Sequence, residues 1–119
     1  MKMEIFKDFT VESAHFLPNA PDGHKCRRLH GHSFKIGIYF SGEVASPSGC
    51  VVDFGNISQA FAPFHTVLDH TLLNEVDGLS NLSSENISIW IWDRLKPILP
   101  GLSKVVVHET CTSGYVYSG

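Results

Sequence analysis

The chain has 119 residues, of which 43% are hydrophobic and 18% charged, and its formal charge at neutral pH is −3. A chain of that length can build one compact core, and its composition is that of a folding domain rather than of a disordered segment. The acidic balance excludes a general binder of nucleic acid or of anionic membranes, because such proteins neutralise phosphates with a broad excess of Lys and Arg.

The N-terminal stretch MKMEIFKDFTVESAHF carries acids within its first dozen residues and lacks the apolar run of a signal peptide. No later run approaches the roughly 18 apolar residues of a membrane span, so a cytoplasmic protein with one domain over residues 1–119 is expected. The cysteines Cys26, Cys50 and Cys111 cannot all pair within one chain and are too sparse for a disulfide scaffold, so reduced thiols are expected.

From Met3 to Phe16 the chain reads as a strand with Ile5, Phe9, Val11, Ser13 and His15 on one face. From His30 to Glu43 the alternation is cleaner. His30, His32, Phe34, Ile36, Ile38 and Phe40 share one face, while Gly31, Ser33, Lys35, Gly37 and Tyr39 share the other. The loop VASPSG then leads into CVVDF, read as a short strand. Asn56 to about Leu68 shows helical spacing, with Pro63 inside it as a candidate kink. After a loop rich in Asn, Gly, Asp and Ser, Ser83 or Ser84 caps a second helix with Ile87, Trp90, Ile91, Leu95 and Ile98 on its apolar face, ended by Pro100 and Gly101. The strand SKVVVHETC follows, with Val105, Val107, Glu109 and Cys111 on one face, and a last short strand YVY closes the chain. This order predicts an α+β fold, an antiparallel sheet with both helices packed on one face.

The chemistry concentrates in CRRLHGH, Cys26 to His32. Imidazoles two residues apart on one strand can both reach a single ion, and His15 is a natural third ligand if the first two strands pair as a hairpin. A lone H-x-H reads as two hydrogen-bonded strand-end histidines. Two histidines on a strongly apolar face with a third in reach read instead as a metal site, since an isolated buried imidazole needs a partner. Three histidines without an obvious fourth protein ligand form the pattern of a catalytic zinc with one open position.

Cys26 is either a fourth ligand closing a structural site or an acid/base group made acidic by Lys25, Arg27, Arg28 and the ion; spacing leaves both open. Asp69 and His70, at the end of the first helix, read either as an oriented acid/base pair or as a helix-terminal histidine favoured by the macrodipole. Glu109 by itself reads as a solvated rim carboxylate. A heterocycle presenting adjacent N–H groups would satisfy both its oxygens.

Taken together, FTVESAHFL, GHKCRRLHGHSF, VVDF, LDHTLLN, NLSSE and ETCTSG, in that order and nearly end to end, resemble the 6-pyruvoyl-tetrahydropterin synthase family. The short interval between Cys26 and the HGH is similar to the carboxypterin-forming branch of that family. The resemblance implies the tunnelling fold, a four-stranded antiparallel sheet with two helices whose subunits assemble edge to edge into a homo-hexamer, a dimer of trimers. It implies Zn2+ held by His15, His30 and His32, Cys26 as the proton-transferring thiol, Asp69 and His70 as its partner relay, and Glu109 as anchor of the pterin ring.

The implied reaction turns 7,8-dihydroneopterin triphosphate into 6-carboxy-5,6,7,8-tetrahydropterin, releasing acetaldehyde and triphosphate, in the route to 7-deazaguanines such as queuosine. Lys25, Arg27 and Arg28 offer positive charge for the triphosphate, although the same residues serve equally as a solubilising surface. The alternatives are the pyruvoyl-forming reaction, in which triphosphate is eliminated and the carbon chain is kept, and a noncatalytic zinc or pterin-binding module. Phe16 stands where the family commonly has a basic residue, and Leu82 where it often has proline.

Overall fold

The computed structural model describes residues 2–16, 21–23, 28–79 and 83–119. Strands β1 (Lys2–His15) and β2 (His30–Glu43) pair antiparallel along their whole length, from Lys2 opposite Glu43 to His15 opposite His30. Helix α1 (Phe54–Leu68), a short 3-10 turn at Leu73–Glu75, helix α2 (Ser84–Leu95) and strands β3 (Leu102–His108) and β4 (Gly114–Tyr117) follow. The sheet order is β1-β2-β3-β4, antiparallel throughout, with α1 packed on β1 and α2 on β3 and β4.

The alternation of β2 becomes two physically different faces. Phe34, Ile36 and Ile38 are buried against Val11 of β1, Val105 and Val107 of β3, Ile57 and Phe61 of α1, and Ile87, Ile91 and Leu95 of α2. Each such side chain contributes about 1.5–3 kcal/mol by leaving water. The other face carries Glu4, Asp8, Glu12, Lys35 and Lys104, paired across strands as Lys104 with Glu4 at 3.2 Å and Lys35 with Asp8 at 3.8 Å.

After α1 the chain turns back along the open edge of β1. The amide of His70 donates to the Glu12 carbonyl at 2.6 Å, the amide of Ala14 donates to the Thr71 carbonyl at 3.0 Å, and Ala14 forms a parallel bridge with Leu72. These bonds satisfy backbone groups that an edge strand would otherwise leave open, at the end of the sheet where the histidines lie.

Some expected boundaries differ. CVVDF is not a strand: Val51 and Val52 lie in a bend and Asp53 caps α1, its carboxylate accepting from the Gly55 amide at 2.8 Å, so the helix starts at Phe54. The N-cap bond outweighs the β preference of the valines. Helix α2 stops at Leu95, before Pro100 and Gly101, because Pro97 has no N–H to continue the ladder; Lys96 Nζ instead donates to the carbonyls of Pro100 and Leu102. Strand β3 ends at His108, so the inward face of Val105 and Val107 does not carry on to Cys111, which is exposed. The turn into β4 is tight at Gly114, where a Cβ would lie 2.6 Å from the Val107 carbonyl oxygen.

Candidate active site

The β1–β2 register puts His15 directly opposite His30, with His32 opposite Ser13 and therefore diagonal to His15 on the same face. One nitrogen from each of His15, His30 and His32 lies within 4.8 Å of the others. Ring centroids are 4.5 Å apart for His15 and His30, 5.1 Å for His15 and His32, and 5.6 Å for His30 and His32. Phe34 forms the floor, stacked on His32 at 4.3 Å and edge-on to His15 at 5.5 Å.

His15 is 2% exposed, and neither of its ring nitrogens has a hydrogen-bond partner. Burial, followed by the charges of His30 and His32, pushes its imidazole down to about 4. A buried, neutral, unpartnered imidazole facing two others is the donor set that a divalent cation satisfies. The His30 ring supports the same reading. Its Nδ1 lies 2.8 Å from the Arg28 carbonyl oxygen, which only accepts, so Nδ1 carries the proton and Nε2 presents a lone pair. These three histidines can therefore hold a metal ion.

At the end of α1, His70 Nδ1 lies 2.9 Å from Asp69 Oδ2, while Asp69 Oδ1 accepts from the Glu12 amide at 2.8 Å. The Glu12 N–H, and next the His70 ring, hold the Asp69 carboxyl below the usual carboxylate range. His70 has φ +56°, in the left-handed region that favours glycine. Its ring is 78% exposed, and with His32 and Glu12 it lines a cleft of about 610 Å3. His70 and one histidine of the trio thus line the same cleft within a single chain.

Glu109 sits just past β3, its amide donating to the Ser113 carbonyl at 3.1 Å, and its carboxylate lies 3.9 Å from His32 Nε2. Near it, the Tyr115 phenol of β4 is pushed up by burial and then by the charges of Glu85 and Glu109. Glu109 is thereby placed beside the histidine cluster, at His32.

Arg28 is exposed, and its carbonyl oxygen accepts from His30 Nδ1. Cys26, Lys25 and Arg27 lie outside the described residues, as does Leu82. The backbone of Phe16 is gripped at both ends by the Asn74 side chain, which accepts from its N–H and donates to its carbonyl, each at 3.0 Å. Sequence reasoning missed Asn74, Ser13 and Tyr115 as contributors. The signal for Ser13 was available, since a hydroxyl on the apolar face of a strand must find a partner.

Residues 4–119 match the family described as 6-pyruvoyl tetrahydropterin synthase. The chain is 41% identical over 119 residues to the 6-carboxy-5,6,7,8-tetrahydropterin synthase of Synechocystis, covering 95% of this chain and 91% of that protein. It is 32% identical over 126 residues to the Bacillus subtilis enzyme of the same name, covering 96% of this chain and 84% of that one. The structure of Caenorhabditis elegans 6-pyruvoyl tetrahydropterin synthase superposes with a TM-score of 0.90 at 24% identity, covering 100% of this chain and 96% of that one, a likeness of fold. The β-β-α-α-β-β order, the histidine cluster and the match over almost every residue lead to one conclusion: this chain belongs to the 6-pyruvoyl tetrahydropterin synthase family.

Proposed function

We propose that the chain is a zinc-dependent 6-carboxy-5,6,7,8-tetrahydropterin synthase, a lyase that converts 7,8-dihydroneopterin triphosphate to the carboxypterin with release of acetaldehyde and triphosphate, in the cytoplasmic route to 7-deazaguanines. The observation that carries the reading is His15, buried with both nitrogens unpartnered beside His30 and His32. The similarity to the Synechocystis and Bacillus enzymes supplies the choice of reaction.

His15, His30 and His32 hold the metal by neutral ring nitrogens. When bound there, the ion supplies a Lewis acid for the side-chain oxygens of the substrate, making a neighbouring C–H bond more acidic. Glu109 accepts from the pterin amino and ring N–H groups and so orients the side chain of the substrate toward the histidines. Cys26 takes the proton from carbon, and His70, its Nδ1 proton held by Asp69, moves a proton elsewhere on the substrate. The low-lying Asp69 carboxyl stays ionised at neutral pH and fixes the ring orientation and tautomer of His70. Lys25, Arg27 and Arg28 meet the triphosphate. The chains assemble as a hexamer, a dimer of trimers, through their open sheet edges.

The test is product analysis with metal content measured on the same sample. Acetaldehyde and carboxypterin from 7,8-dihydroneopterin triphosphate support the proposal. Pyruvoyl-tetrahydropterin without acetaldehyde makes the chain a pyruvoyl-forming enzyme, like the human relative that is 32% identical over 85% of this chain. For a noncatalytic module closed by a fourth ligand, Cys26→Ala loses the metal; for a catalytic thiol it keeps the metal and loses turnover.

A further inference from the structure

We propose that Ser13 is a positioning residue for the Asp69–His70 pair: its buried hydroxyl fastens the end of α1 to the strand that carries His15. Ser13 is 7% exposed on the inward face of β1, opposite His32. Its Oγ donates to the Leu68 carbonyl at 2.6 Å. Leu68 is the last residue of α1, and its carbonyl has no partner within the helix. Thr71 Oγ1 approaches the same oxygen at 2.9 Å from beyond the dyad, but its single proton is shared with the Val67 carbonyl at 3.1 Å, so Ser13 is the undivided donor to Leu68.

The neighbouring contacts are all made by the β1 backbone. The Glu12 amide donates to Asp69, the Glu12 carbonyl accepts from the His70 amide, and the Ala14 amide donates to Thr71. Any residues other than proline at these positions would supply them. The Ser13 hydroxyl is different because alanine would lose it while leaving the strand intact. What it restrains is strained: His70 at φ +56° is disfavoured by about 1–2 kcal/mol for a residue with a side chain, and such a conformation persists where its surroundings over-determine it. The bond from Ser13 lies one residue before Asp69 and two before His70. Removing it lets the end of α1 lift from β1 and the His70 turn relax, which misplaces the imidazole without removing it.

This rests on the proposed role of His70 as a proton-transferring group, so the experiment has one readout in turnover and one outside it. In the zinc-loaded protein, Ser13→Ala should lower kcat about tenfold with KM and bound zinc unchanged, and Ser13→Thr should restore most of the rate. Amide hydrogen exchange at His70 should become at least tenfold faster in Ser13→Ala, while the core amide of Ile38 is unaffected.

Ser88→Ala is the control. It removes another buried hydroxyl, 2% exposed, which donates to the Glu85 carbonyl at 2.6 Å, and it should lower stability comparably while leaving kcat unchanged. The proposal is overturned if Ser13→Ala keeps kcat within twofold, or if Ser88→Ala lowers kcat equally. Should the wild-type protein prove inactive on the pterin triphosphate, the reaction assigned above fails, and His70 exchange decides the positioning role alone: unchanged protection in Ser13→Ala sinks it.

Discussion

Replacing His15 by leucine should invert the usual sign of a core substitution. In the metal-free protein, His15 buries a ring donor and a ring acceptor without partners. An unsatisfied buried polar group costs about 1–3 kcal/mol. Leucine has similar volume and carries no such debt, and an imperfect fit takes back less than about 1.5 kcal/mol. Metal-free His15→Leu should therefore lie between about 0.5 kcal/mol below and about 3 kcal/mol above the wild type, the upper end being a rise of about 12 °C in Tm for a chain of this size.

Zinc works against that advantage. At a hundredfold excess over its dissociation constant it adds about 2.7 kcal/mol to any protein that binds it only when folded. The wild type should gain this and His15→Leu should gain nothing. Thermal unfolding of both proteins, with chelator and with zinc at pH 7.5, measures all four values. A metal-free variant more than about 1 kcal/mol below the wild type, or equal zinc stabilisation of both, would refute the reasoning, because it would mean that the imidazole has stabilising partners other than a cation.

The pH dependence follows from the same residue. The unfolded chain binds a proton at His15 near pH 6.5, whereas the folded metal-free chain resists until about 4, so the contribution is complete above roughly pH 6.5 and falls by about 3 kcal/mol as the pH drops to 4. Urea unfolding of metal-free protein at pH 7.5, 6 and 5 should show the decline, and its disappearance in His15→Leu checks the assignment. Asp69→Asn keeps an acceptor for the Glu12 amide but can turn an N–H toward His70 Nδ1, favouring the wrong tautomer; kcat should fall about a hundredfold or more with zinc content unchanged. Phe34→Ala should cost about 3–5 kcal/mol by opening a core cavity and should also weaken zinc binding, since Phe34 stacks on His32; titration with a competing chelator measures the second effect.

Period-two patterning made the hairpin and its inward face readable before any coordinates. Val11, Ser13 and His15 on one strand, and His30, His32, Phe34, Ile36 and Ile38 on the other, point where the alternation puts them. Patterning does not say where a strand stops. Val51 and Val52 have strand character, yet the Asp53 cap starts a helix there, and the face that holds Val105 and Val107 ends at His108 before reaching Cys111. Contacts between distant segments were also hidden. The bond from Ser13 to Leu68 spans 55 residues, and the left-handed turn at His70 has no glycine or asparagine to announce it. Asp69 and His70 were legible as an adjacent pair, whereas what holds them against β1 was not.

The convergence of the three histidines is inherited from the core through strand register. His15 faces His30 only because Lys2 pairs with Glu43 and every intermediate residue keeps step. A slip of one residue would turn the histidines of one strand to the opposite face. Such a slip would also expose Val11 and Phe9, or Phe34, Ile36 and Ile38, each at a cost of about 1.5–3 kcal/mol for every fully buried side chain. The apolar pairs Val11 with Phe34 and Phe9 with Ile36 therefore set the convergence of the histidines. It follows that polar substitutions in the middle of β2 should lower metal affinity by loosening register, even where the histidines themselves are unchanged.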